Sequence, residues 1–228
     1  MKLGDLVWTF IIACIVLLLM YPASQHLILV ATVSHPFIMG FIKFAILATM
    51  GELLSIRVVT GGWTLPPGLV YRMIVWGLMG DALVIIFPIF STGIGFLQKS
   101  GLLPEAGSQT ANYVLSAFWV SLIMNIAWAP TLMLFHRICD TYLDLADGKP
   151  SQLAAISLTQ VTGAIDWQIF IRFVVFKTIP FFWIPAHTIT FLFPSELRVL
   201  VAAFLSLALG AILGYAKRQA EFLAASNT

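Results

Sequence analysis

Residues 36–56 read PFIMGFIKFAILATMGELLSI and carry only two charged side chains, Lys43 and Glu52. As an α-helix this stretch would be about 31 Å long, close to the ~30 Å hydrocarbon core of a bilayer. It shows no period-2 alternation, and a segment in lipid must satisfy its own backbone polar groups. The stretch therefore predicts a membrane-spanning helix.

Five other segments have the same character. We expect six spans, at residues 6–21, 36–56, 73–90, 113–135, 167–193 and 199–215. The composition agrees, since 60% of the 228 residues are hydrophobic and 10% are charged, against about a quarter charged in soluble domains. The sequence predicts an all-α, polytopic membrane helix bundle that forms one domain over residues 1–228.

The distribution of basic residues predicts the orientation, because short cytoplasmic loops carry an excess of Lys and Arg. With six spans, one side of the membrane receives Lys99 and Arg198 and the other receives seven basic residues. The seven are Lys2, Arg57, Arg72, Arg137, Lys149, Lys217 and Arg218. Both termini are therefore expected on the cytoplasmic side.

The first span has an alternative interpretation. Lys2 ahead of the apolar run resembles the start of a signal peptide, but Asp5 in the same region favours a retained span. The following residues 22–35 contain no Lys, Arg, Asp or Glu. We expect them to form a loop in the membrane interface.

Net charge and motifs exclude several classes of function. Twelve Lys and Arg against ten Asp and Glu leave +2, which is too small and too scattered for a nucleic-acid surface. Cys14 and Cys139 have no metal-type spacing, and the sequence contains no Gly-rich phosphate loop. We expect membrane lipid and a small solute as partners, no nucleic acid, no cofactor and no enzymatic activity.

Ionisable side chains within the spans are the main functional signal. Each costs about 2.5 to 3.5 kcal/mol near the bilayer centre even on the lenient insertion scale, so each should face protein or water. At 1.5 Å per residue, Lys43, Asp81 and Lys177 lie roughly 12 to 17 Å deep, and Asn125 shares that level. Glu52 and Arg172 lie nearer the cytoplasmic surface.

Two interpretations of these polar layers stay open. In the first, the four midplane residues line one central cavity, with Glu52 and Arg172 paired at its inner mouth. In the second, the same groups pair only to fix helix packing. The midplane layer holds two cations and one anion, and this surplus favours a hydrated cavity or an anionic solute.

The fifth span contains Pro180 and Pro185 on either side of Trp183, followed by His187. An interior proline removes a backbone donor and disturbs the preceding turn. We expect a broken or kinked helix here, either as a pore-lining element that includes Trp183 and His187 or as a kink that serves packing alone.

The sixth span carries Ser206, Gly210 and Gly214 four residues apart. Such a strip lets two membrane helices approach closely. It favours packing within the chain, and a homo-oligomer is the alternative.

One set of residues suggests a metal. His136, Asp140 and Asp144 recur every four residues on one helix face, and His with carboxylates can hold a divalent ion. The competing interpretation, an ordinary solvated helix end, is favoured because Arg137 is adjacent.

Short motifs occur between His35 and Tyr215. They are His35-Pro36, Gly51-Glu52, Arg72 with Gly77 and Gly80, Ala129-Pro130, and Trp183, Pro185, Phe191, Pro194 and Arg198. In these motifs the chain resembles the Mpv-seventeen / peroxisomal membrane protein twenty-two family. It departs from the family pattern at Asp81, where a proline is usual, and at Met124 and Asn125, where Asp-Gln is usual. The resemblance implies a membrane protein that passes small solutes and carries over no catalytic residue.

The sequence therefore predicts an integral membrane channel or permease for small solutes, with anions favoured. A membrane scaffold or interaction protein without transport activity is the first alternative. An enzyme that acts on lipid headgroups through a metal at His136, Asp140 and Asp144 is the second.

Overall fold

The structure is a computed structural model that describes the backbone of residues 2–226 and, except at residues 213, 216, 217 and 219–226, their side chains. Lys217, one of the basic residues counted for the orientation, has its side chain outside this part. Every regular element within residues 2–226 is helical.

The described fold consists of eleven α-helices and a stretch of π-helix, here called the π segment. In chain order they are α1 Leu3–Met20, α2 Pro22–Ser34, α3 Pro36–Thr60, α4 Leu69–Lys99, α5 Gln109–Ala127, α6 Ala129–Leu145, α7 Pro150–Leu153, α8 Leu158–Ala164, α9 Trp167–Ile169, the π segment Phe170–Trp183, α10 Ile184–Phe191 and α11 Ser195–Ser226.

Six helical units are long and apolar enough to cross a membrane. They are Leu3–Met20, Pro36–Thr60, Leu69–Lys99, Gln109–Ala127, Trp167–Phe191 and Ser195–Ile212. The predicted all-α class and the six candidate spans are confirmed at this level of length and composition.

Two predicted boundaries are wrong. The region 22–35, expected as a loop, is helix α2, which starts with Pro22 at a position where a missing N–H costs nothing. The fourth span was expected to reach residue 135, but α5 ends at Ala127 and a new helix begins at Ala129. Pro130 favours this second break, because proline lacks a backbone donor and is readily accepted in the first turn of a helix, where it lies in α6.

The fifth span remains continuous from Trp167 to Phe191 but changes its winding. Over Phe170–Trp183 it is a π-helix, in which the N–H of Ile184 donates to the carbonyl of Ile179, five residues back. π-helix is rare beyond one turn. The expected break at Pro180 and Pro185 thus appears as a widened helix, with Pro185 in the first turn of α10.

Helix α3 lies at the centre of the bundle and packs closely on α4 and α11. A Cβ built on Gly80 of α4 would meet the backbone carbonyl of Gly40. A Cβ on Gly210 of α11 would meet the backbone of Gly51, and one on Gly214 would lie 3.0 Å from the Cα of Ser55. The small-residue strip of α11 therefore packs within the chain, as favoured from the sequence.

Helix α1 has no buried residue and is anchored mainly at its N-terminal end. Asp5 pairs with Arg57 of α3 at 2.7 Å and accepts a hydrogen bond from Trp63 at 2.8 Å. The indole of Trp8 donates to the Met50 carbonyl at 3.1 Å. Much of α1 presents apolar side chains to the exterior, as expected of a lipid-facing helix, while Ile12 and Ile15 pack against the core.

We expect Gly210→Leu to lower the free energy of unfolding by about 1 to 3 kcal/mol, because the new side chain must push α11 away from Gly51. Gly93→Leu in α4 is the matched control, since a Cβ there meets nothing within 4 Å. Thermal unfolding of the detergent-solubilised protein measures both. Equal midpoints for the two variants would contradict the close packing of α3 and α11.

Candidate functional site

Helix α4 carries the candidate site along one face. Arg72, Trp76, Leu83 and Phe87 follow one another at intervals of four or seven residues, which return to the same side of an α-helix. Three regions of interest lie along this face. We call them the acidic cluster, the central cavity and the cationic cavity, in order from the start of α4.

The acidic cluster surrounds the guanidinium of Arg72, whose side chain is only 6% exposed. Its Nη1 lies 3.0 Å from Glu52 of α3 and 2.9 Å from Asp140 of α6. Its Nη2 lies 2.5 Å from Asp144, and its Nε donates to the Pro67 carbonyl at 3.0 Å. One cation therefore ties α3, α4 and α6 together.

Trp76 closes the cluster toward the membrane centre. Its indole N–H donates to Glu52 at 3.1 Å, and its ring lies 4.1 Å from the ring of His136, centroid to centroid. His136 Nδ1 lies 3.3 Å from Asp140 Oδ2. The indole and imidazole rings thus form a lid between the charges and the interior.

Local backbone geometry places the cluster. Gly68 precedes α4 with a φ of 68°, and Gly148 follows α6 with a φ of 66°. A Cβ on Gly148 would meet the backbone N of Gly68, so the loops before α4 and after α6 touch. This contact brings the first turn of α4 beside the last turns of α6.

The cluster carries three carboxylates and one guanidinium. Burial raises the pKa of Asp140 to about 6, although Arg72 and Arg137 act in the opposite direction. Burial also lowers the pKa of His136 to about 4, so its imidazole is neutral at pH 7. The cluster is therefore acidic overall, and burial makes Asp140 easier to protonate than a carboxyl in water.

The central cavity has a volume of about 40 Å³, enough for water. Asn125 of α5 reaches His187 of α10, with 3.1 Å between Nδ2 and Nδ1. Trp183 stacks on His187, with ring centroids 5.0 Å apart. All three residues line the cavity, and all three were predicted from the sequence as cavity-lining residues.

Two indole N–H groups support hydration of this cavity. Trp128 and Trp183 both line it, and neither indole nitrogen has a hydrogen-bond partner among the described residues. A buried donor without a protein partner is usually satisfied by water. Trp76 lines the same cavity on the side of the acidic cluster.

The cationic cavity is larger, about 390 Å³, and lies between α2, α3, α4 and the start of α11. Lys43 lines it and is 7% exposed, with its ammonium donating to the Thr32 hydroxyl at 2.7 Å. Arg198 lines it from α11 and is held by Ser91 at 3.2 Å and by the carbonyl of Phe193 at 3.0 Å.

These two cations lack counter-charges in direct contact. Within the described chain, no carboxylate oxygen lies within 4.0 Å of Lys43 or Arg198. Glu196 lines the cavity but is exposed to the exterior. Ser195 begins the long helix α11 here, and a helix N-terminus adds positive potential. The cavity lining therefore carries two basic side chains against one acidic side chain, Glu196, which interacts electrostatically with Arg198.

Leu83 and Phe87 separate the two cavities. Leu83 lines both of them. Phe87 lines the cationic cavity, and its ring lies 5.8 Å from His187, which lines the central one. The partition is one side chain thick and apolar.

The predicted single cavity of Lys43, Asp81, Asn125 and Lys177 is not formed. Lys43 and Asn125 line different cavities, and Lys177 is exposed on the π segment. Asp81 lies beside α3, where a Cβ on Gly40 would be 3.6 Å from its Oδ1. The prediction placed residues by depth alone, and depth does not determine which face of a helix a residue occupies.

The predicted pair of Glu52 and Arg172 is also wrong. Glu52 pairs with Arg72, which follows it after one loop, whereas Arg172 is exposed and makes no ion pair among the described residues. Arg172 lies near a helix start, so its side chain can extend toward the headgroups.

The metal alternative has no support in the geometry. Within the described residues, no three His, Cys, Asp or Glu side chains are placed to hold a metal ion. Asp140 and Asp144 converge instead on Arg72, whose guanidinium occupies the position between them.

Sequence reasoning missed two features of the site. Arg198 was named only in the orientation count and in the resemblance, because it lies between two spans and was counted as a loop residue. Trp76 and Phe87 were not proposed as site residues. The signal that could have found them is the repeat of Arg72, Trp76, Leu83 and Phe87 along one helix face.

Comparison with known proteins gives no further assignment. No protein-family model, no curated protein and no solved structure matches this chain.

We expect Arg72→Leu to destabilise the protein by about 3 to 5 kcal/mol, because Glu52 and Asp140 would stay buried without their cation. Lys149→Leu is the control, since it removes only an exposed pair with Asp147 and should change stability little. Thermal unfolding at pH 7 measures both variants. A stable Arg72→Leu protein would show that the cluster does not hold the three helices together.

Proposed function

We propose that this protein is an integral membrane permease for small anionic solutes. The observation that carries the proposal is the cationic cavity, in which Lys43 is buried and neither it nor Arg198 contacts a carboxylate. A buried cation without a counter-charge is costly in a membrane. A solute anion would supply the missing charge.

The proposed path runs along α4. A solute enters the cationic cavity, passes the partition at Leu83 and Phe87, crosses the central cavity beside His187, and leaves past Trp76. Backbone and side-chain polar groups are tolerated at membrane depth where they line such a cavity. The unpartnered indoles of the central cavity fit a hydrated passage.

The conformation described here corresponds to a closed state of that path. The central cavity is about 40 Å³, far smaller than the cationic cavity of about 390 Å³. Trp76 is fixed by Glu52 and covered by His136, so the acidic cluster blocks the far end. Opening requires Phe87 and Trp76 to change rotamer and the cluster to loosen.

Membership of the family that the chain resembles is a proposal that accompanies the permease proposal. The motif residues Gly51, Glu52, Arg72 and Gly80 are those that pack α3 on its neighbours or form the acidic cluster. We expect a protein of this kind to function in a lipid membrane. We expect it to need no cofactor and no catalytic residue. A homo-oligomer is compatible with the exposed apolar surface of α1.

We also propose that both termini and the acidic cluster face the cytoplasm. Single cysteines at Gly62, Ser108 and Ser151 should then react with a membrane-impermeant maleimide from the inside, outside and inside, in that order. Replacement of Cys14 and Cys139 by serine provides the background. Any other order would contradict six spans with the predicted basic-residue asymmetry.

For the transport proposal, we expect purified protein in liposomes to raise chloride and acetate flux above that of protein-free liposomes. Lys43→Met should lower this flux at least tenfold, because the anion loses its buried partner. Lys177→Met is the matched control. It removes a lysine at similar depth that is exposed outside the path, so the flux should not change.

Arg198→Gln provides a second variant in case Lys43→Met fails to fold, and it should also lower the flux. Wild-type protein without anion flux would contradict the permease and favour the scaffold alternative. Equal loss in Lys43→Met and Lys177→Met would show that flux depends on total charge and not on the cationic cavity.

A further inference from the structure

A second, apolar space adjoins the cationic cavity. A groove of about 220 Å³ lies between the α1–α2 pair and helices α3 and α11. Its walls are aliphatic except at one point, where Lys43 lines it as well as the cationic cavity. The groove is lined by Ile15, Leu18, Leu19, Ile28, Met39, Ile42, Lys43, Ile46, Leu47 and Leu200.

Lys43 lines both of these spaces. Its ammonium donates to Thr32, which lines the cationic cavity and not the groove. Along the groove, the aliphatic stem is the part of the side chain that suits an apolar wall. Lysine commonly arranges itself in this way at a boundary between apolar and polar surroundings.

The groove is open toward the lipid. Leu18, Ile42 and Ile46 line it and are 53%, 43% and 39% exposed. An apolar ligand can therefore reach it sideways from the membrane. The same ligand would need an anionic end to reach the ammonium.

We propose that the groove and the cationic cavity together bind an alkyl monocarboxylate, with its carboxylate on Lys43 and its chain along Ile28, Ile42 and Ile46. This inference rests on the proposed function and narrows its substrate class from small anions to amphiphilic ones. The carboxylate of such a ligand complements the ammonium of Lys43, and its alkyl chain complements the apolar walls of the groove. Arg198 supplies a second cation in the cavity that receives the carboxylate.

The test compares octanoate with acetate, both carrying ¹³C at the carboxyl carbon. The protein is held in nanodiscs, and empty nanodiscs correct for partition into lipid. Octanoate should bind at least tenfold more tightly than acetate, since burial of each further methylene adds affinity. Lys43→Met should abolish the carboxyl chemical-shift change for both anions.

Ile46→Trp should fill the groove and weaken octanoate binding at least fivefold while acetate binding stays unchanged. Ile28→Trp, on the opposite wall, is a second variant with the same expectation. Ile85→Trp is the matched control, because Ile85 is exposed to lipid on α4 and lines neither space. It should leave both affinities unchanged.

Equal affinities for acetate and octanoate, with anion flux retained, would overturn this inference and leave the permease intact. Absence of chloride and acetate flux in liposomes that contain the wild-type protein would overturn the permease proposal itself. A phospholipid that stays bound and excludes octanoate would identify the groove as a lipid site, which also overturns the inference.

Discussion

The close approach of α3 to both α4 and α11 is the constraint on which the rest of the structure depends. Gly40 against Gly80 and Gly51 against Gly210 bring the helix backbones together without intervening side chains. These contacts fix the register of the three helices. Because the register is fixed, Glu52 meets Arg72 at one end of α3, and Lys43 lines the same cavity as Arg198 toward the other.

Buried charges are costly in lipid, so their distribution along the bundle is informative. The acidic cluster contains more carboxylates than cations, while the cationic cavity contains two basic side chains without a contacting carboxylate. If the buried charges only fixed helix packing, each would be expected to contact an oppositely charged partner. Arg72 fits that explanation, whereas Lys43 contacts only the Thr32 hydroxyl.

The sequence predicts the fold class well and the site in part. Long apolar runs are a strong signal, so the six candidate spans could be found, and the strip ending in Gly214 predicted close packing. Asn125 and His187, which were expected to line a cavity, both line the central cavity, although Asn125 was expected there together with Lys43, Asp81 and Lys177. The depth of a residue, however, says nothing about its direction, so Lys177 was misplaced. The spacing of Arg72, Trp76, Leu83 and Phe87 marks one face of α4 in the sequence, but only the neighbouring helices show that Trp76 on this face lines a cavity.

In the proposed permease, the two ends of the path would differ in charge. The next polar side chain beyond Lys43 and Arg198 is His187, which is held by Asn125 and Trp183. Beyond it, the carboxylates around Arg72 would repel an anion. Passage would therefore require the cluster to become less negative or Arg72 to become available, and a proton on Asp140 would achieve the first. The acidic cluster would thus be a barrier that makes release of an anion depend on protonation at the end of the bundle where α4 begins.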